Sequence, residues 1–214
     1  TEGDGVVRMS GQTKILWIVG IVADAISLLL VAPDPVPWHA ARASGVVTYL
    51  LLWLSMVAGL SSSSRIGRML IPAGEVFDVH SFSASLMTAA LGIHVVSLIG
   101  DGWLSAPLSW ILIPGASDYR TLPVAAGVVT AYLGLAITFS TYLRRIVGNR
   151  NWRRFHYLAF PMYALALAHA VYAGTDGASG WAQIMYFATS GALLFLVFLR
   201  ILGGAVPERP LRTQ

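Results

Sequence analysis

The chain has 214 residues, of which 56% are hydrophobic and only 11% charged, where a soluble domain carries about a quarter charged. That composition is expected of an integral membrane protein. The absence of cysteine excludes disulfides, thiolate-ligated iron, iron–sulfur clusters and covalently attached haem on this chain. The formal charge of +4 reads first as a report on how membrane loops are oriented, with no nucleic-acid partner implied.

Apolar stretches of about 20 residues span a bilayer, and six are expected in chain order: Lys14–Ala32, Ser44–Ser62, Val79–Gly100, Leu122–Leu143, Phe155–Gly174 and Trp181–Leu202. The expected fold is therefore an all-α bundle of six transmembrane helices. It comprises an N-terminal segment over 1–13, a membrane domain over 14–203 and a tail over 204–214. The first stretch reads as a retained helix and not a cleaved signal. Its flanking bases are only Arg8 and Lys14, no small-residue cleavage site follows, and Pro33, Pro35 and Pro37 end it. The connection Asp101–Thr121 carries Trp103, Pro107, Trp110 and Pro114, which suits an interfacial lid. The N-terminus, the second and fourth loops and the C-terminus hold 12 of the Lys and Arg residues, against 2 (Arg42 and Arg120) on the other side. This bias predicts both termini in the cytoplasm. Helices three and five then run outward together.

Those two helices carry four of the five histidines: His80 and His94 on one, His156 and His169 on the other. An imidazole in hydrocarbon is costly without a partner, and iron is a partner that takes a neutral nitrogen. Fourteen residues at 1.5 Å rise separate the first pair by about 21 Å and thirteen separate the second by about 20 Å, so the ladders match in height. Two haems stacked through the bilayer, each clamped by one imidazole from each helix, fit this pattern. Fourteen steps of 100° return to within about 40° of the starting face, but thirteen leave His156 and His169 about 140° apart. Pro161, between them, is expected to kink the fifth helix and correct the mismatch. Arg153 and Arg154, beside His156, are placed to pair with propionates of a haem near the cytoplasmic face, although they also serve the positive-inside rule. Gly92, Ala89, Ala90 and the alanines of Tyr163–Ala170 would let a flat macrocycle approach the backbone, or serve ordinary helix contacts. Asp24, inside the first helix, reads as a protonated group bonded to a neighbour or as part of a proton path. His39, beside Trp38 in the Pro-rich loop, reads as interfacial.

Several segments carry a resemblance. Ala41-Arg42-Ala43-Ser44-Gly45, the paired histidines, Tyr119-Arg120-Thr121-Leu122-Pro123 and Trp152-Arg153-Arg154-Phe155-His156-Tyr157 resemble the ferric reductase-like transmembrane domain. That family includes the membrane parts of ferric reductases and NADPH oxidases and the haem-binding membrane subunit of the bacterial methionine sulfoxide reductase system. The resemblance covers roughly 42–173. It implies two b-type haems, the inner one on His80 and His156 and the outer one on His94 and His169, with Arg42 as a partner for an outer propionate. A further histidine that the oxidases carry one turn after the outer ligand is Leu98 here, which argues against superoxide production. The chain has no Gly-rich dinucleotide motif, so nicotinamide and flavin chemistry are not expected on it.

These readings make the chain a transmembrane electron-transfer subunit of an oxidoreductase, expected in a bacterial inner membrane. A separate flavoprotein or quinol would supply electrons, and an outer-face redox partner or larger membrane complex would receive them. The alternatives are a one-haem, quinol-linked subunit of a periplasmic reductase, or a non-haem membrane subunit or transporter in which Asp24 and the histidines relay protons.

Overall fold

The computed structural model describes residues 23–24, 27–63 and 73–203. Most of the expected first span, the N-terminal segment, the loop over 64–72 and the tail lie outside the described residues, apart from a helical stretch at 27–31. Among the described residues seven helices follow that stretch: α1 Val36–Ser63, α2 Ala73–Gly100, α3 Leu108–Leu112, α4 Thr121–Val147, α5 Asn149–His156, α6 Ala159–Ala173 and α7 Gly180–Gly203. Four of them are long and apolar enough to cross a membrane: Val36–Ser62, Glu75–Gly100, Thr121–Val147 and Gly180–Leu202. Large apolar side chains such as Leu122, Phe139, Phe187 and Phe198 point outward and are exposed. In water such a surface would be a liability. In lipid it is the expected one, because the helices satisfy their own backbone and the tails solvate the side chains.

Helix α1 begins with Pro37 at its second position, where a missing N–H costs nothing because no intrahelical acceptor faces it. It packs along α2, while α4 packs along α6, and α7 closes the bundle against α1. Tyr49, Leu52, Met56, Met87, Met162 and Leu193 form the heart of the core. A polar knot crosses it. The Tyr49 hydroxyl lies 2.6 Å from Thr189 Oγ1 and 2.9 Å from the Tyr163 hydroxyl, and the Trp53 indole N–H donates to the Thr189 carbonyl at 2.9 Å. With little water to compete, each of these groups has to find a partner inside the bundle.

The expected fifth span is divided. Tyr157 and Leu158, with ψ of −15° and −11°, form a tight turn between α5 and α6. The bonds there run three residues back, from Leu158 N–H to the Phe155 carbonyl and from Phe160 N–H to the Tyr157 carbonyl. Pro161 therefore does not kink a continuous helix. It is the third residue of α6, in the first turn where amide protons have no acceptor. The Tyr157 carbonyl, which an ordinary residue at 161 would bond, takes Phe160 N–H instead. Each residue wound at 3.0 per turn advances about 120° and not 100°, which recovers part of the 140° deficit. The break frees His156 from the phase of α6.

Gly148 makes the other end of α5. Its φ of +81° is costly for any residue with a Cβ, and it serves as both the last cap of α4 and the first of α5. Helix α5 is thus eight residues long, bounded by two helix breaks, with none of its residues fully buried.

At the opposite end, the connection over 101–120 holds the short helix α3, which follows Pro107. Trp103 packs edge-on against Trp38 with ring centres 5.1 Å apart, and the Tyr132 hydroxyl donates to the Leu112 carbonyl at 2.6 Å. These contacts hold the segment across the end of the bundle.

Candidate haem-ligand pairs

The four helix histidines meet in two pairs. His80 and His156 have ring centres 5.9 Å apart with planes at 71°. His94 and His169 have ring centres 6.3 Å apart at 83°. Helices α2 and α6 therefore point the same way, and the pairs sit at two levels of the bundle.

Three of these imidazoles are held by one repeated device. The His94 Nδ1–H donates to the Ala41 carbonyl at 2.7 Å, that of His80 to the Ser55 carbonyl at 2.8 Å, and that of His169 to the Pro123 carbonyl at 2.9 Å. A carbonyl can only accept, so each Nδ1 carries the proton and each Nε2 keeps its lone pair. Four residues after each acceptor carbonyl stands a glycine: Gly45, Gly59 and Gly127. A Cβ built on Gly45 would come within 3.1 Å of the His94 ring, on Gly59 within 3.4 Å of the His80 ring, and on Gly127 within 2.6 Å of His169 Cε1. The missing side chain is what lets a donor from another helix reach a carbonyl already used inside its own. Gly45 and Gly59 are fourteen residues apart, as are His80 and His94. Because α1 and α2 run antiparallel, one ladder seats the other. That matching period is the signal in the sequence for Gly45 and Gly59. Gly92 does not seat a histidine in this way: a Cβ there would meet nothing within 4 Å.

His156 is the exception. Its Nδ1 is buried and has no hydrogen-bond partner among the described residues. Its ring is instead stacked on Trp152, centres 4.9 Å apart and planes at 26°. The Trp152 indole N–H donates to Ser140 Oγ at 3.2 Å, and the Arg144 guanidinium lies 4.6 Å from the indole ring centre. Where α4 would need a glycine thirteen residues after Gly127, it carries Ser140.

A cavity of about 260 Å³ opens between the helices at the His94–His169 level, close to the lower end of the ~300–1,000 Å³ typical of ligand pockets. Trp38, Leu104, Trp110, Tyr49, Met87 and Met162 are among the residues that line it. Apart from the two imidazoles the inner surface is nearly all apolar. Arg42 also lines it, and its guanidinium forms a two-pronged ion pair with Asp176, Nε to Oδ2 at 2.9 Å and Nη2 to Oδ1 at 2.5 Å. The resemblance implies an outer propionate as a partner for Arg42; within the chain its partner is the Asp176 carboxylate. Arg153 and Arg154 are exposed on α5 near His156, and His39 is exposed beside Trp38. Asp24 is exposed in a helical segment.

Iron held between two Nε2 atoms at about 2.0 Å each, with each nitrogen about 1.1 Å from its ring centre, sets ring centres about 6.2 Å apart. The observed 5.9 and 6.3 Å bracket that value. No cluster of three or more His, Cys, Asp or Glu residues able to hold a metal ion occurs among the described residues. Each pair could supply two ligands, a number that suits a planar macrocycle bringing four of its own. Comparison of the chain with protein-family models, with curated proteins and with solved structures finds no match.

Proposed function

We propose that the chain is a membrane electron-transfer subunit that binds two b-type haems, one between His80 and His156 and one between His94 and His169. The observation that carries this reading is the pair of imidazole couples at a spacing suited to one iron each, three of the four imidazoles being locked by a carbonyl into the tautomer that ligates. When bound, haem iron takes up and releases one electron at a time. The histidines fix the two groups at levels about 20 Å apart within a hydrocarbon layer about 30 Å thick. Electrons entering at one face are thereby brought close to the other. Tyr49, Met87 and Met162 keep water from the middle of the path.

Under the orientation that the 12 to 2 charge bias predicts, the His80–His156 site is on the cytoplasmic side, beside the arginines of α5. Those arginines suit an acidic donor protein such as a flavoprotein, and a quinol could deliver electrons from the bilayer. The acceptor would dock outside, over the Trp38–Trp103 end. Absorption spectra and haem-to-protein stoichiometry of the purified protein test the reading. A reduced b-type spectrum at two haems per chain is expected, and protein made in haem-replete cells that carries none would end it. A one-haem form is favoured by the cavity at the His94–His169 pair. One haem per chain, lost in His94→Ala and retained in His80→Ala, would select it.

A further inference from the structure

The two histidine pairs are built unequally, and the difference lies in His156. His80, His94 and His169 each have a glycine seat and a carbonyl on Nδ1. His156 has neither: its Nδ1 is buried and unpartnered among the described residues. Its carrier differs as well. The other three stand within helices of 15 to 28 residues. His156 is the last residue of α5, which has eight residues, none of them fully buried, and a helix break at either end. What orients its ring is the stack on Trp152.

Resting on the two-haem reading, we propose that His156 is a displaceable ligand, so that the His80–His156 iron is a binding site for a small diatomic molecule while the His94–His169 iron is closed. A hydrogen bond on Nδ1 raises the basicity of Nε2 and holds the ring on the metal, and removing such a partner costs about 10–100-fold in metal affinity. His156 lacks that partner by construction. When it leaves, the iron–Nε2 bond breaks, the imidazole departs neutral with its lone pair, and the incoming ligand donates a lone pair to the vacated position. No electron changes hands. His80, fixed by the Ser55 carbonyl, stays in place as the opposite ligand.

Carbon monoxide is the probe, added to the dithionite-reduced, fully loaded protein in detergent. About half of the haem should give a CO difference spectrum, corresponding to one site of two. Trp152→Ala, which removes the stack, should speed CO binding to that half by about 10–100-fold, whereas Trp152→Phe, which keeps a ring there, should stay near wild type. The proposal is overturned by two full haems per chain with no CO response, by CO binding to both haems alike, or by a binding rate that Trp152→Ala leaves unchanged. Each of those results leaves the two-haem function standing, because the haem count is measured in the same sample. A sample without haem overturns that function and this inference together.

Discussion

Replacing Gly127 by alanine tests the seat of His169 without touching a ligand. The added Cβ would lie 2.6 Å from His169 Cε1, 2.9 Å from Cγ and closer still to Nδ1. To bring its nearest atom, Nδ1, to the 3.4 Å at which ordinary contact begins, the ring has to retreat by about 1 Å. Ligand distances tolerate about 0.2 Å, and the same retreat stretches the 2.9 Å bond to the Pro123 carbonyl. Affinity for the haem on His94 and His169 should fall by about 10–100-fold. The fold itself should survive. Overpacking costs about 1–3 kcal/mol, and alanine in place of glycine inside a helix returns about 1 kcal/mol of it. Gly134→Ala on the same helix is the control, since its Cβ meets Met162 Sδ at 3.5 Å and Met87 Cε at 3.9 Å, both ordinary contacts. Haem content and low-temperature absorption spectra, read beside a thermal melt in detergent, separate lost ligation from lost structure. Gly127→Ala protein with two haems and unchanged spectra would refute the argument that glycine is required for the imidazole to reach its carbonyl.

The same geometry predicts a graded series, with Gly59→Ala at 3.4 Å nearly silent and Gly45→Ala at 3.1 Å intermediate in haem loss; equal effects at all three positions would show that ring clearance is not what matters. Single alanine substitutions of the histidines should fall into two spectral classes, His80 with His156 and His94 with His169, and a class that joins His94 to His156 would break the pairing. Pro161→Ala restores an amide proton that can bond the Tyr157 carbonyl, letting α5 and α6 fuse and carrying His156 out of phase. Loss of the His80–His156 haem alone is expected, and unchanged haem content would show that the turn at Tyr157 and Leu158 forms without help from the proline. A double-mutant cycle on Arg42→Ala and Asp176→Ala, read by thermal melts, should give a coupling of about 1 kcal/mol, the upper range for a partly exposed pair with good geometry; no coupling would mean that the pair closes nothing at the cavity mouth.

Helix content and lipid exposure were legible in the residue order because both depend on local composition: runs of apolar residues with few charges form helices whose outward faces need no pattern. The equal heights of the histidine ladders were legible for a similar reason, since axial rise is a property of the single helix. Rotation was not. The angular relation of His156 to His169 depends on where a helix breaks, and the chain breaks at Tyr157 and Leu158, ahead of the proline expected to kink it. The fourteen-residue spacing of Gly45 and Gly59 matched that of His80 and His94, but spacing by itself did not show that these glycines matter. Gly45, Gly59 and Gly127 gain their role from a ring on another helix, and only packing reveals that partner. The Arg42–Asp176 pair joins residues 134 positions apart, beyond any local pattern. The inequality of the two sites follows from the same cause. Four histidines look alike along the chain, and only the tertiary structure decides which of them finds a carbonyl, because that acceptor always belongs to a different helix.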